Sequence, residues 1–216
     1  YLDERDARCA IWPEAFIRLQ MSEPLTRLTL SWPDFERYLR QLPRPVRKDY
    51  RRHCRLASEQ SITVNGCRLS EQSSLDAGTL DEAARLISNV EGHHRSAHNP
   101  WARATLERAG MVDAVWLKAE IGNRLVGCGL LLGDGGHWMM TLLGLDYTVR
   151  YAYFQLVYAA IRCAMEQGAQ VLWGGTGAYE LKERLGFEVQ PEHYTIFAAG
   201  GRCLQSLGRR LAHWSN

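Results

Sequence analysis

The chain has 216 residues, 46% of them hydrophobic and 23% charged, with a net charge of +2. That suffices for one domain with a sizeable core, and the balance is that of an ordinary globular protein rather than a disordered or fibrous one. The small net charge argues against wholesale nucleic-acid coating, so no DNA partner is expected. No apolar run reaches the ~18 residues needed to cross a bilayer, so no membrane span is expected either. The six cysteines, Cys9, Cys54, Cys67, Cys128, Cys163 and Cys203, form no C-x-x-C pair and no ligand-like spacing with histidine. They read as the thiols of a reducing cytoplasm, with neither a disulfide framework nor a zinc site.

The chain opens at Tyr1, and residues 1–24 are mixed, with apolar anchors in Ala10-Ile11-Trp12-Pro13 and Phe16-Ile17-x-Leu19. They are read as an N-terminal arm or the remnant of a preceding segment, a packed arm or one helix, ahead of a single domain over residues 25–216. Leu25 to Trp32 alternates as a strand. Ser31-Trp32-Pro33-Asp34 opens a helix with Ser31 as its cap and Phe35, Tyr38, Leu39 and Leu42 on one side. Pro43 and Pro45 end it. The helix that follows carries Arg44, Arg47, Lys48, Arg51, Arg52 and Arg55 and, with Arg40 just before it, is the most basic stretch of the chain. It is either a solvated face or a cradle for phosphates, those of a coenzyme or of an RNA backbone, with Arg47 and Arg51 as candidate ligands. Ser61 to Leu69 reads as a strand interrupted by an Asn65-Gly66 turn.

Residues 70–78 read as a polar loop. Thr79 to Asn89 is an amphipathic helix, capped by Thr79 with Glu82 completing a capping box. Glu91-Gly92-His93-His94-Arg95-x-x-His98 then reads as a loop at the mouth of a site, Glu91 or His94 being candidate bases. Adjacent His93 and His94 point apart and no carboxylate motif follows, so no metal centre is assigned. Trp101 to Ala109 is a further helix. Ala114 to Ile121, Leu125 to Leu132 and His137 to Leu145, joined at Gly122-Asn123 and Gly133-Asp134-Gly135-Gly136, form a three-stranded antiparallel meander. Gly127 and Gly129 mark a bulge or a close backbone approach in its middle strand. Tyr151 to Gln167 is a helix apolar on nearly all faces, hence buried, and stopped by Gly168.

Val171-Leu172-Trp173 is a short strand closed by Gly174, Gly175 and Gly177. Ala178 to Leu185 is a helix, Leu181 and Leu185 share a face, and Gly186 stands where a left-handed residue ends it. Tyr179 can donate a proton; Trp173 is a core residue or the wall of an acceptor pocket. Val189 to Ala199 is a last strand, and Cys203 to Trp214 a basic C-terminal helix.

Ala178-x-x-Leu181-x-x-x-x-Gly186-Phe187 resembles the A-x-x-L-Y-x-x-x-G-F element of the GNAT acyltransferases, with Lys182 where that family places its proton-donating tyrosine. A lysine there is similar to the Fem-type branch, and the strand, Ser-Trp-Pro helix and basic L-P-x-x-V-R-K element upstream resemble the same branch. The resemblance runs from about Leu25 to Gly200 and implies an α+β GNAT fold, a central, mostly antiparallel twisted sheet flanked by helices. It implies an N-acyltransferase of bacterial cell-wall or secondary metabolism, with Lys182 supporting the oxyanion and Arg150 and the Gly174 to Gly177 turn holding the donor. The GNAT pyrophosphate loop R-x-x-G-x-G/A is not present: Gly144-Leu-Asp146-Tyr-Thr-Val-Arg150-Tyr lacks its paired glycines. An acyl-CoA co-substrate, with no tightly bound cofactor, is the expected donor. The alternatives are an aminoacyl-tRNA and a non-catalytic binding module. The acceptor is a small-molecule or peptide amine.

Overall fold

The computed structural model describes residues 16–20, 23–70, 75–190 and 194–198. Two strands form a separate two-stranded sheet, β1, Phe16–Gln20, pairing antiparallel with Tyr194–Ala198. The segment before residue 25 therefore contributes a strand rather than a helix. The anchors at Ala10 to Pro13 and the helix expected at Cys203 to Trp214 lie outside the described residues.

The remaining strands build one seven-stranded sheet. β2 is Leu25–Thr29 and β3 is Ile62–Leu69. The meander supplies β4 (Asp113–Ile121), β5 (Arg124–Asp134) and β6 (His137–Leu145). β7 is Val171–Gly175, β8 is Glu188–Gln190, and the partner of β1 is β9. The spatial order is β3-β4-β5-β6-β7-β2-β8. Each hairpin of the meander turns on two residues, with Gly122 at φ 60 and Gly135 at φ 56 in the first position. That is the placement a two-residue hairpin turn gives to glycine. β6 and β7 run parallel, and parallel neighbours need a crossover, here the helix Ala152–Glu166. β2, from the start of the chain, inserts antiparallel between β7 and β8.

The helices are α1 (Phe35–Gln41), α2 (Arg44–Glu59), α3 (Ala77–His94), α4 (Ala102–Arg108), α5 (Ala152–Glu166) and α6 (Tyr179–Arg184). One core lies beneath α1, α2 and α5 and gathers Leu28, Tyr38, Leu117, Leu131, Leu156, Ile161, Leu172 and Leu185. A second, on the opposite face, holds Leu80, Leu86, Ile87 and Leu106 against Trp116, Cys128, Leu130 and Leu142. The flanking is thus uneven. α3 packs on β5 and β6, and among the described residues no helix covers that face over β7, β2 and β8.

Several local expectations change. Asp34, not Ser31, caps α1, its carboxylate accepting from the Arg37 amide at 2.7 Å. Asp76, not Thr79, caps α3, accepting from both the amide (3.0 Å) and the hydroxyl (2.6 Å) of Thr79, while Glu82 pairs with Arg85. A carboxylate is the stronger acceptor, and it wins wherever it stands within reach of the first turn. Asn65-Gly66 is not a turn, because β3 runs through it in unbroken register with β4. Gly66 is there because a side chain would meet Cys163 Sγ at 2.8 Å. The loop expected at Glu91 to His94 is the last turn of α3, which stops at Arg95 in the left-handed region, φ 53.

Gly144 shows how tightly α3 lies on β6: a Cβ added there would fall 2.8 Å from Leu86 Cβ and 2.9 Å from the Ile87 amide. Gly144→Ala is expected to destabilise the protein by roughly 1–3 kcal/mol through overpacking. Gly92→Ala, in α3 with open space around it, is expected to stabilise by up to about 1 kcal/mol. Urea unfolding of the two variants beside the parent checks both signs.

Candidate active site

β6 and β7 are paired for only three residues, His137–Val171, Trp138–Leu172 and Met139–Trp173. β6 then continues to Leu145 with no described partner on that side, its other edge still held by β5 across a bulge at Leu130/Leu131. The two parallel strands part just where Gly175, with φ 69, bends β7 away. A Cβ on Gly175 would lie 3.7 Å from the Met140 carbonyl. The opening lies at the carboxyl ends of both strands, the position where split parallel strands admit ligands.

On the β7 side of this opening the glycine turn folds over the first residues of α6. Gly175 (φ 69), Gly177 (φ 73) and Ala178 (φ 48) are all left-handed. The turn brings the carbonyls of Gly175 and Thr176 onto one side chain, Lys182. Its ammonium is buried and donates to Gly175 O at 3.2 Å and Thr176 O at 2.9 Å. No carboxylate pairs with it among the described residues. Burial alone pushes its pKa down from the usual lysine range to about 8. An ammonium has three N–H donors; two are held by carbonyls, and one remains. Lys182 is therefore not the exposed helix lysine that its position in a polar helix also allows.

The same turn is pinned from below by β2. Thr26 Oγ1 donates to Gly175 O at 2.9 Å, so that carbonyl accepts from both Thr26 and Lys182. The Tyr179 hydroxyl donates to Pro24 O at 3.0 Å, which fastens the start of α6 to the start of β2. Gly174 belongs to the strand rather than the turn, and it is glycine because a side chain would meet Thr26 Oγ1 at 2.6 Å and Phe187 at 2.8 Å. α6 ends in a paired closure, Phe187 N–H to Lys182 O at 2.9 Å and Gly186 N–H to Glu183 O at 2.9 Å, with Gly186 at φ 86. Strand, turn and helix end together leave Lys182 little freedom.

The other candidates collect on the β6 side. Asn89 of α3 donates to Leu145 O at 3.2 Å. Two residues on, Glu91 accepts from the Asn99 amide at 2.9 Å and shares a 2.8 Å contact with His98 Nδ1, so its carboxylate fastens residues 98 and 99 to α3. His94 Nε2 lies 3.3 Å from the Tyr147 hydroxyl, and His93 stacks on the Tyr147 ring at 3.9 Å. Tyr147 and Arg150 both belong to the turn from β6 into α5. In that turn Asp146 is held below the usual carboxylate range, chiefly by the Thr148 hydroxyl at 2.5 Å and also by Arg124 at 3.3 Å. Tyr151, which precedes α5, has φ 72, a conformation that suits glycine.

The structure thus unites Lys182, Tyr179, Gly174, Gly175 and Gly177 at one edge of the opening. Glu91 and His94 stand at the end of α3 and Arg150 in the β6–α5 turn, which His94 reaches through Tyr147. Arg47 and Arg51 stand apart on α2. Arg47 donates to the carbonyls of Arg40 (2.8 Å) and Leu42 (2.9 Å) and so closes the end of α1. Arg51 lies on an exposed stripe with Arg44, Lys48 and Arg55, at i, i+4, i+7 and i+11. Pro24, Thr26 and Arg27 were missed by sequence reasoning. Their alternation marked a strand, but nothing local says which strands lie beside it. Among the described residues no group of His, Cys, Asp or Glu is placed to hold a metal ion, and no helix is long and apolar enough to cross a membrane.

No protein-family model matches the chain, and no curated protein does. Solved structures do. FemX is 11% identical with a TM-score of 0.61, matching 88% of this chain and 64% of its own. A conserved protein of unknown function from Bacteroides thetaiotaomicron is 13% identical with a TM-score of 0.59, over 90% of this chain and 66% of its own. The C-terminal domain of a putative lysylphosphatidylglycerol synthetase from Agrobacterium fabrum is 10% identical with a TM-score of 0.56, over 89% and 64%. The chain shares its fold with FemX and these other two structures, and spans just under two thirds of their length.

A folded-state pKa of about 8 for Lys182 lies below the 10.5 of a free lysine, so the unfolded chain binds more protons between those values. Burying this ammonium costs stability fully below pH 8, and the cost fades as pH rises toward 10.5. The parent protein is therefore expected to gain stability over that range relative to Lys182→Met, by roughly 3 kcal/mol at most. Denaturant titrations of the pair at pH 7, 9 and 10.5 test this; parallel pH profiles would show that Lys182 is not desolvated.

Proposed function

We propose that the protein is an N-acyltransferase whose donor is an aminoacyl ester carried on RNA, with Lys182 stabilising the oxyanion. The observation that carries this reading is the buried Lys182 ammonium at the parting of β6 and β7, with two donors on carbonyls and one to spare. A neutral amine attacks the ester carbonyl and the third N–H of Lys182 meets the oxygen as it becomes negative. The tetrahedral intermediate then collapses, the ester C–O bond breaks, an amide forms, and the amine's proton goes to the departing ribose oxygen. Tyr179 and Glu91 are given no proton-transfer role, since their polar atoms already hold Pro24 O and the Asn99 amide.

Two features favour RNA over the acyl-CoA expected from the superfamily at large. The β6–α5 turn, where GNAT enzymes seat the pyrophosphate of coenzyme A, here carries an ionised Asp146 and a tyrosine in the glycine conformation. A carboxylate there opposes a pyrophosphate. Arg44, Lys48, Arg51 and Arg55 form a stripe about 16 Å long on α2, all exposed, and among the described residues only Arg55 is paired, to Glu59. That layout suits successive phosphates of one strand. The likeness to FemX and to a lysylphosphatidylglycerol synthetase domain supports the same class of chemistry.

Calorimetric titration with aminoacyl-tRNA, acetyl-CoA and free coenzyme A at two salt concentrations separates the readings. The expected result is salt-sensitive tRNA binding that Arg51→Glu weakens, lowering the salt slope by about 1. Micromolar binding of coenzyme A with no response to tRNA would restore the acyl-CoA reading. In a transfer assay Lys182→Met is expected to lower kcat by about 10²- to 10³-fold, the loss typical of one oxyanion donor. The rate is also expected to fall as pH rises through about 8, as the ammonium is lost. Unchanged turnover in a folded Lys182→Met protein would leave only a non-catalytic binding role.

A further inference from the structure

Arg27 follows Thr26 on β2, and its backbone neighbour on β7 is Trp173. Leu28 and Leu172, next along each strand, are 1% exposed and point into the core beneath α5. Arg27 and Trp173 therefore lie on the opposite face, the one α3 leaves uncovered at this end of the sheet. The guanidinium sits over the indole, 6.0 Å from the ring centroid. Its Nε–H is buried with no acceptor, and among the described residues neither terminal nitrogen makes a hydrogen bond and no carboxylate pairs with it.

What sets Arg27 apart is that buried Nε–H: among the described residues only it and the Trp138 indole N–H are buried side-chain polar groups left without a partner. A half-buried guanidinium with an orphaned N–H is costly to keep unless something pairs with it. The cation is held over the indole face, and the Nη1 and Nη2 edge of a guanidinium is a fork for two parallel hydrogen bonds, the geometry that fits a carboxylate or a phosphate. The place is also specific. Trp173 is the last β7 residue paired with β6, and Thr26, adjacent to Arg27, donates to the same Gly175 carbonyl as Lys182.

We propose that Arg27, with its guanidinium over the Trp173 ring, is an oxyanion-binding subsite at the apex of the strand opening, and that it takes the anionic group of the acceptor. The acceptor is then an amine that also bears a carboxylate or a phosphate, held by Arg27 while its amine faces the carbonyl at Lys182. A neutral amino sugar does not use this site. The anion site stands on Arg27 and Trp173 alone; its assignment to the acceptor rests on the transfer reaction proposed above.

The test is an NMR titration of the full chain, following the arginine Nε–Hε signal lost in Arg27→Lys and the indole signal lost in Trp173→Phe. Sodium phosphate and sodium acetate are each added against sodium chloride at constant ionic strength. Saturable shifts of both signals, with the Trp173 shift abolished in Arg27→Met, support the site. Saturation by phosphate alone assigns a phosphate-bearing amine, and saturation by acetate assigns a carboxylate-bearing one. Shifts no larger than those from chloride, or a Trp173 response that persists in a folded Arg27→Met protein, overturn the proposal. Lys182→Met is expected to keep the titration intact. Loss of transfer in that variant without an Arg27 response would sink the subsite and leave the reaction. An Arg27 response with transfer unaffected by Lys182→Met would do the reverse.

Discussion

Everything at the candidate site follows from a parallel strand pair that lasts three residues. While β6 and β7 stay paired, their backbone groups are satisfied by each other. Beyond Met139 they are not, and the sheet must close the gap with something else. β7 closes its side by bending through left-handed Gly175 and turning its carbonyls onto a lysine. β6 keeps its other edge on β5 and ends beneath α3, where Asn89 takes the Leu145 carbonyl. A buried charge and an unpaired stretch of strand edge are thus consequences of one early divorce between two strands.

Burial of Lys182 is tolerable because the carbonyls are supplied by a backbone that has few alternatives. Thr26 holds Gly175 from the neighbouring strand, Tyr179 ties the helix start to Pro24, and the Gly186 closure fixes the helix end. α2 is joined to the same helix through Asp49, which pairs with Arg184 and Arg52. The basic stripe and Lys182 therefore sit on elements connected by an ion pair. α2 is seated in turn on α5 by buried His53, whose Nδ1 meets the Tyr158 hydroxyl at 3.0 Å.

Much of this could be read from the sequence where the signal was local. The meander is written in its alternation and its two-residue glycine turns, α5 in its apolar faces, and the left-handed Gly186 in its place after Leu185. Reading failed where a stronger partner lay a few residues away. Asp34 and Asp76 outcompeted Ser31 and Thr79 as caps, and α3 ran on through Glu91 because that carboxylate found the Asn99 amide. It failed more deeply where the partner was distant. Asn65-Gly66 resembles a turn until Cys163 is seen above it. Lys182 was singled out through a family resemblance, but only the fold surrounds it with carbonyls. Arg27 was passed over because no local pattern sets it on Trp173.

The insertion of β2 between β7 and β8 also has a consequence for how the chain is made. Residues 25–29 find their neighbours only when residues 171–175 and 188–190 exist. At about 5–20 residues per second a ribosome takes roughly 7 to 30 seconds to cover that interval. Throughout it β2 has neither of its sheet partners, while the meander of β4 to β6 can already close on itself. β2 is a late arrival in a sheet whose centre forms first. Such long-range closure is slow, and a nascent chain that carries Leu25 and Leu28 uncovered for so long is a natural client for a chaperone at the tunnel exit.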